Sequence, residues 1–160
     1  MHEQSATSLI NLLRSKELTI RTGLLLLPPY ALGHEAEVAA HFGLGHQDIC
    51  AWILGNTPTG RNTLGLSSEL ILDVLTEVVS DVAIPGRCIL ISNVDLLLAG
   101  IDDQDKVHFW NFYRNSFRRE RGVVLCFPEK AFNLLPIEER KSWEAIERIA
   151  TWTGEDGNES

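Results

Sequence analysis

The sequence predicts an α/β fold, three layers built on a mostly parallel sheet of four or five strands. Three observations carry this reading. Residues 24–27 (LLLL), 88–91 (CILI) and 123–127 (VVLCF) are apolar at consecutive positions. A strand that is apolar on both faces is covered on both, which is the condition of a parallel sheet. Between these runs lie stretches of helical period, such as Leu70, Ile71, Val74, Leu75 and Val78. Strands that alternate with helices give parallel βα units.

Composition narrows the class. A chain of 160 residues, 44% hydrophobic and 22% charged, fits one domain with a sizeable core, predicted over residues 1–153. The formal net charge of −8 opposes nucleic-acid binding over the whole surface but leaves a local basic patch open. Cys50, Cys88 and Cys126 lie in apolar runs, and their odd count and wide spacing fit neither a disulfide framework nor a zinc pattern. They read as reduced, buried thiols of a cytoplasmic protein. The apolar runs are far short of the ~20 residues of a membrane span. Residues 1–8 are polar and carry no secretory signal pattern.

Taken in order, residues 8–17 predict a short amphipathic helix with Leu9, Leu12 and Leu13 on one face. Residues 24–27 are the first strand. A helix over residues 33–42 turns Val38, Ala39 and Phe42 inward and is ended by Gly43 and Gly45. Residues 49–54 (ICAWIL) read as a second buried strand and residues 55–65 (GNTPTGRNTLG) as a turn-rich loop. Ser67 caps a helix that runs to Ser80. Residues 88–91 are the third strand. Residues 102–119 predict a helix carrying Phe109, Trp110, Phe112, Tyr113 and Phe117, ended by Gly122. Residues 123–127 are the fourth strand. Residues 137–152 read as a helix, with a short fifth strand over 146–152 as the alternative. Residues 154–160 (GEDGNES) predict a disordered tail.

Function is read from residues 23–41, GLLLLPPYALGHEAEVAAH. An apolar strand, a turn and a helix is the layout of a phosphate loop. A working loop reads Gly, four residues, then Gly-Lys-Ser/Thr. Here Pro28 takes the first position, and Gly33, His34 and Glu35 the last three. Pro28 supplies no amide. His34 is shorter than lysine and mostly neutral at pH 7. Glu35 favours the helix N-terminus but repels phosphate. The second test is the segment ILISNVDLLL. A working ATPase ends this strand in an aspartate that holds magnesium, whereas Ser92 and Asn93 stand here, with Asp95 two residues beyond. Both motifs lack their charged groups. Gly33, His34, Glu35, Ser92, Asn93 and Asp95 are therefore expected to form a degenerate nucleotide cleft with no catalytic residue and no metal ligand.

The order of these parts resembles the P-loop ATPase core of the AAA+ and RecA-like kind. ILISNVDLLL also resembles the corresponding segment of the small P-loop proteins of BREX-type phage-defence clusters (the BrxF type). The resemblance covers residues 18–130 and implies a P-loop NTPase-like fold in a small subunit of a bacterial defence or DNA-transaction complex. His34, Glu35 and Ser92 depart from that pattern. The resulting expectation is a pseudo-ATPase that works by protein–protein contact and holds no cofactor. An ATPase using ATP and magnesium through His34 and Asp95 is the alternative.

Three further groups stand out in the sequence. His34, His41 and His46 match no metal-site spacing and read as a solvated polar face. Arg114, Arg118, Arg119 and Arg121 cluster where the aromatic helix ends. Two roles fit them: complementing the helix dipole, or contacting DNA phosphates or an acidic partner. The aromatic helix is apolar nearly all round. Trp110 and Tyr113 are therefore expected, with those arginines, at a contact with another subunit or a second copy of the chain, and Trp143 and Trp152 add to that expectation.

Overall fold

The structure, a computed structural model, describes residues 5–56, 66–131 and 134–152. A five-stranded sheet in the order β2-β3-β4-β1-β5 organises it. The strands are β1 Thr22–Leu27, β2 Gly45–Asp48, β3 Cys88–Ser92, β4 Gly122–Pro128 and β5 Ile149–Thr151, and each pairing is parallel. All six residues of β1 and all five of β3 are buried. Burial of each leucine of β1 contributes roughly 1.5–3 kcal/mol, which places this strand inside the sheet and not at its edge.

The alternation of side chains along the strands makes two cores. Leu24, Leu26, Ile89, Ile91, Val123 and Leu125 face one way. They meet helices α4 (Ser68–Ser80), α5 (Val94–Leu98), α6 (Asp103–Asn115) and α7 (Ile137–Ala145). Leu25, Leu27, Cys88, Leu90, Val124 and Cys126 face the other way, onto α1 (Ala6–Arg14) and α2 (Glu35–Phe42). The result is a three-layer α/β arrangement, consistent with the P-loop-like fold read from the sequence.

Local chemistry explains the boundaries. Ser5 caps α1, Ser67 caps α4 and Asp102 caps α6, each accepting a backbone N–H from three residues on. Gly43 closes α2 in the left-handed region (φ 70°). The N–H groups of Leu44 and Gly43 then reach the carbonyls of Ala39 and Ala40, the two bonds of a Schellman motif.

Four expectations are corrected. Residues 49–54 are not a strand: Ile49–Asn56 is a helix, α3, and the neighbouring strand is the polar segment Gly45–Asp48. Asp48 decides the matter, because its Oδ1 accepts the N–H groups of Cys50 and Ala51 at 2.9 and 3.2 Å. The aromatic helix stops at Asn115 and not at Arg119, and Gly122 opens β4 instead of ending a helix. A Cβ on Gly122 would lie 2.7 Å from the Leu13 carbonyl oxygen. The aromatic helix carries apolar residues on both faces, but Trp110 and Tyr113, expected at a contact, point inward with Phe109, while Val107 and Phe112 are the exposed ones. The C-terminal segment takes its alternative form, helix α7 and then strand β5. The expected tail 154–160 and residues 57–65 of the expected loop lie outside the described residues.

Candidate functional site

Three strands deliver their C-terminal ends to one place. After β1, Pro29–Ala31 makes a single 3-10 turn, and Gly33 (φ 87°) redirects the chain into α2. After β3, Asn93 adopts the left-handed region (φ 69°), which asparagine tolerates better than most residues, and α5 begins at Val94. β4 ends at Cys126, Phe127 and Pro128. Between them is a cavity of ≈ 170 Å³ lined by Leu27, Leu32, Gly33, Glu35, Asn93, Asp95 and the end of β4. In open parallel sheets this carboxyl edge is where ligands bind.

Four of the six residues expected in the cleft therefore share it: Gly33, Glu35, Asn93 and Asp95. The other two do not line it. His34 turns outward, with Nδ1 2.9 Å from Glu37 Oε1, and that hydrogen bond raises its pKa above 6.5. Ser92 is 2% exposed. Its Oγ lies 3.0 Å from His46 Nε2, and burial lowers the His46 pKa and keeps that ring neutral.

The charge of the cavity is negative. Glu35 and Asp95 are its two carboxylates, and among the described residues no lysine, arginine or histidine lines it. Glu35 Oε2 accepts the Gly33 N–H at 3.1 Å. The loop thus supplies one of its amides to its own acid. Partial burial lifts the Asp95 pKa above its ordinary 3.8, and the charge of Glu35 adds to the effect. The amide of Asn93 is also committed, since its Nδ2 donates to Asp48 Oδ2 at 2.8 Å. Asp48 is the residue that sequence reasoning missed. One carboxylate caps α3 and fixes Asn93, and its signal was an aspartate directly before an apolar helical run.

The remaining candidates lie elsewhere. Trp110 and Tyr113 are core residues and not surface contacts, at 1% and 0% exposure. Trp110 Nε1 donates to the Leu134 carbonyl, and Tyr113 Oη donates to the carbonyls of Gly23 and Val123. Trp143 is equally buried, and Trp152 packs in part against the α1–α2 core. Arg114 holds Glu139 of α7 at 2.7 Å. Arg118, Arg119 and Arg121 follow the end of α6, at the opposite edge of the sheet from the cleft. Among the described residues no group of three or more His, Cys, Asp or Glu has the geometry to hold a metal. None of their helices is long and apolar enough to cross a membrane. No protein-family model matches the chain, and no curated protein matches it significantly.

Proposed function

We propose that this chain is a non-catalytic pseudo-ATPase, a P-loop-like scaffold that works as a structural or regulatory subunit through protein contacts. The observation that carries the reading is the state of the cleft. Where a phosphate would sit, two carboxylates stand with no cation among the described residues, and the Gly33 N–H is already taken by Glu35. A cavity of ≈ 170 Å³ is also well below the ~300–1,000 Å³ of ordinary ligand pockets. Tyr30, Leu32 and Leu96 are 64%, 40% and 59% exposed and belong to the segments that form this edge, an apolar border suited to a protein partner. The resemblance of ILISNVDLLL supports placing that partner in a bacterial DNA-transaction or phage-defence complex. The three free thiols suit the cytoplasm.

Titration calorimetry of the full chain with ATP, with and without magnesium, tests the reading. No saturable heat is expected in either case. ATP binding with a Kd below about 100 μM, lost in His34→Ala or Asp95→Asn, would establish instead an ATP-binding site of unusual composition.

A further inference from the structure

Away from the cleft, we infer that the amino-terminal edge of the sheet is a binding groove for the phosphate backbone of duplex nucleic acid. The inference begins with register. β3, β4 and β1 are neighbours, and each is preceded in sequence by an arginine: Arg87 before Cys88, Arg121 before Gly122, Arg21 before Thr22. Pairing aligns these starts, because Cys88 is opposite Gly122 and Thr22 is opposite Val123. The Gly122 N–H bonds the Arg87 carbonyl and the Val123 N–H bonds the Arg21 carbonyl, each at 2.9 Å. Adjacent strands lie about 4.8 Å apart, so the three backbones cross roughly 10 Å of one edge. Arg14 and Lys16 at the end of α1, and Arg118 and Arg119 after α6, complete the lining.

The groove has a volume of ≈ 1350 Å³ and, among the described residues, holds seven cations with one carboxylate, Glu120. The whole chain has only 14 lysines and arginines and a net charge of −8. Half of its cations are therefore gathered on one face. Backbone carbonyls position several of them. Arg14 donates to the Phe42 carbonyl, Arg21 to that of Glu120, and Arg121 to those of Ile84 and Asp81 at 2.7 and 3.1 Å. Among the described residues none of the seven is within 4.0 Å of a carboxylate oxygen. Their charge is fixed in place and left for an external anion.

The lining selects the kind of anion. Six of the seven cations are arginines, whose planar fork matches phosphate oxygens, and the hydroxyls of Thr19 and Ser80 stand beside them. Contacts of these types position proteins on a nucleic-acid backbone. Among the described residues no aromatic side chain lines the groove, so it offers no stacking platform for the bases of a single strand. It also lacks the aromatic anchors that hold protein partners. The cleft carboxylates lie at the far ends of the strands, ~20 Å away for a strand the length of β1. At ~0.1 M salt that is about two Debye lengths, so they do not cancel the field of the groove.

The test is fluorescence anisotropy of a labelled duplex of about 20 base pairs, two turns of B-form helix, with the full chain. Arg87→Glu with Arg118→Glu is the informative variant, since both side chains are exposed and neither hydrogen-bonds the fold in the described structure. Lys130→Glu with Lys141→Glu makes the same change of net charge outside the groove. At about 50 mM salt the parent binds, the groove variant binds at least tenfold more weakly, and its log K against log salt slope is shallower by about 2. The control pair stays within about twofold of the parent, and all three chains melt alike. No binding by the parent, or an equal loss in the control pair, would overturn the proposal. Displacement of the duplex by polyglutamate at an equal concentration of charges would also overturn it, and would assign the groove to an acidic protein.

Discussion

Single residues set the chemistry of the cleft, and Asp95 shows how. Its folded pKa is raised, so between pH 3.8 and that raised value the folded state binds the proton more tightly than the unfolded chain. Stability therefore falls as pH rises through this window, and above it the ionised carboxylate is a standing cost. Asp95→Asn is expected to raise the Tm at pH 7 and to flatten its decline from pH 4. The gain is below about 1 kcal/mol, because the group is only half-buried and solvent screens it. Thermal melts of both proteins from pH 3.5 to 7.5 measure this; a variant less stable than the parent at pH 7 would mean that the carboxylate is needed where it sits. Gly45 makes a purely steric prediction. A Cβ there would lie 2.1 Å from the Pro85 carbonyl oxygen, so Gly45→Ala must move β2 or the turn that leads into β3. A loss of about 2 kcal/mol or more in urea unfolding is expected, within the overpacking range.

Elements differ in how far the sequence reveals them, and the reason is where they lie. β1, β3 and β4 are inside the sheet, and their unbroken apolar runs announced them. β2 is an edge strand of Gly45, His46, Gln47 and Asp48, whose order comes from pairing with β3, and no composition rule marks such a segment. α3 is as apolar as a buried strand, so periodicity alone does not separate the two. The cleft was legible in four residues because they stand in the two segments that lead from β1 into α2 and from β3 into α5. Side-chain direction was not legible, and it turned His34 out to Glu37 and Ser92 in to His46. α6 carries the energetic consequence. Trp110 touches the rings of Phe109, Phe127 and Trp143 at centroid distances of 5.1, 5.5 and 6.3 Å. Trp110→Ala is expected to cost about 3–5 kcal/mol, whereas Phe112→Ala, at a 40% exposed position, should cost under about 1 kcal/mol. Chemical denaturation of the two variants separates a core helix from a partner-facing one. Equal losses would mean that the Phe112 ring is packed within the fold as Trp110 is, and the division of α6 into a buried and an outer face would fail.

At the scale of the whole molecule, the sheet separates an acidic edge from a basic one, and the thiols report whether it opens as a unit. Cys88 and Cys126 belong to the core between the sheet and α1–α2. Burial pushes the Cys88 pKa up to about 12 and that of Cys126 well above its ordinary 9.0, and a thiol held protonated is a poor nucleophile. Cys126 also forms part of the cavity wall. Cys50 is only part-buried, with its Sγ 3.7 Å from the Asn93 carbonyl oxygen. If the fold opens cooperatively, Cys50 reacts first with a disulfide reagent at pH 8. Cys88 and Cys126 then follow together at a rate that tracks the unfolded population. Mass spectrometry of the labelled peptides in rising urea measures both rates. Matched rates with the same urea dependence fit a cleft that stays closed short of global unfolding, as a sealed scaffold requires. Faster labelling of Cys126 alone, with little dependence on urea, would show that the cleft breathes by itself. The carboxylates of Glu35 and Asp95 would then guard a site able to admit a ligand, and the pseudo-ATPase reading would fail at its central premise.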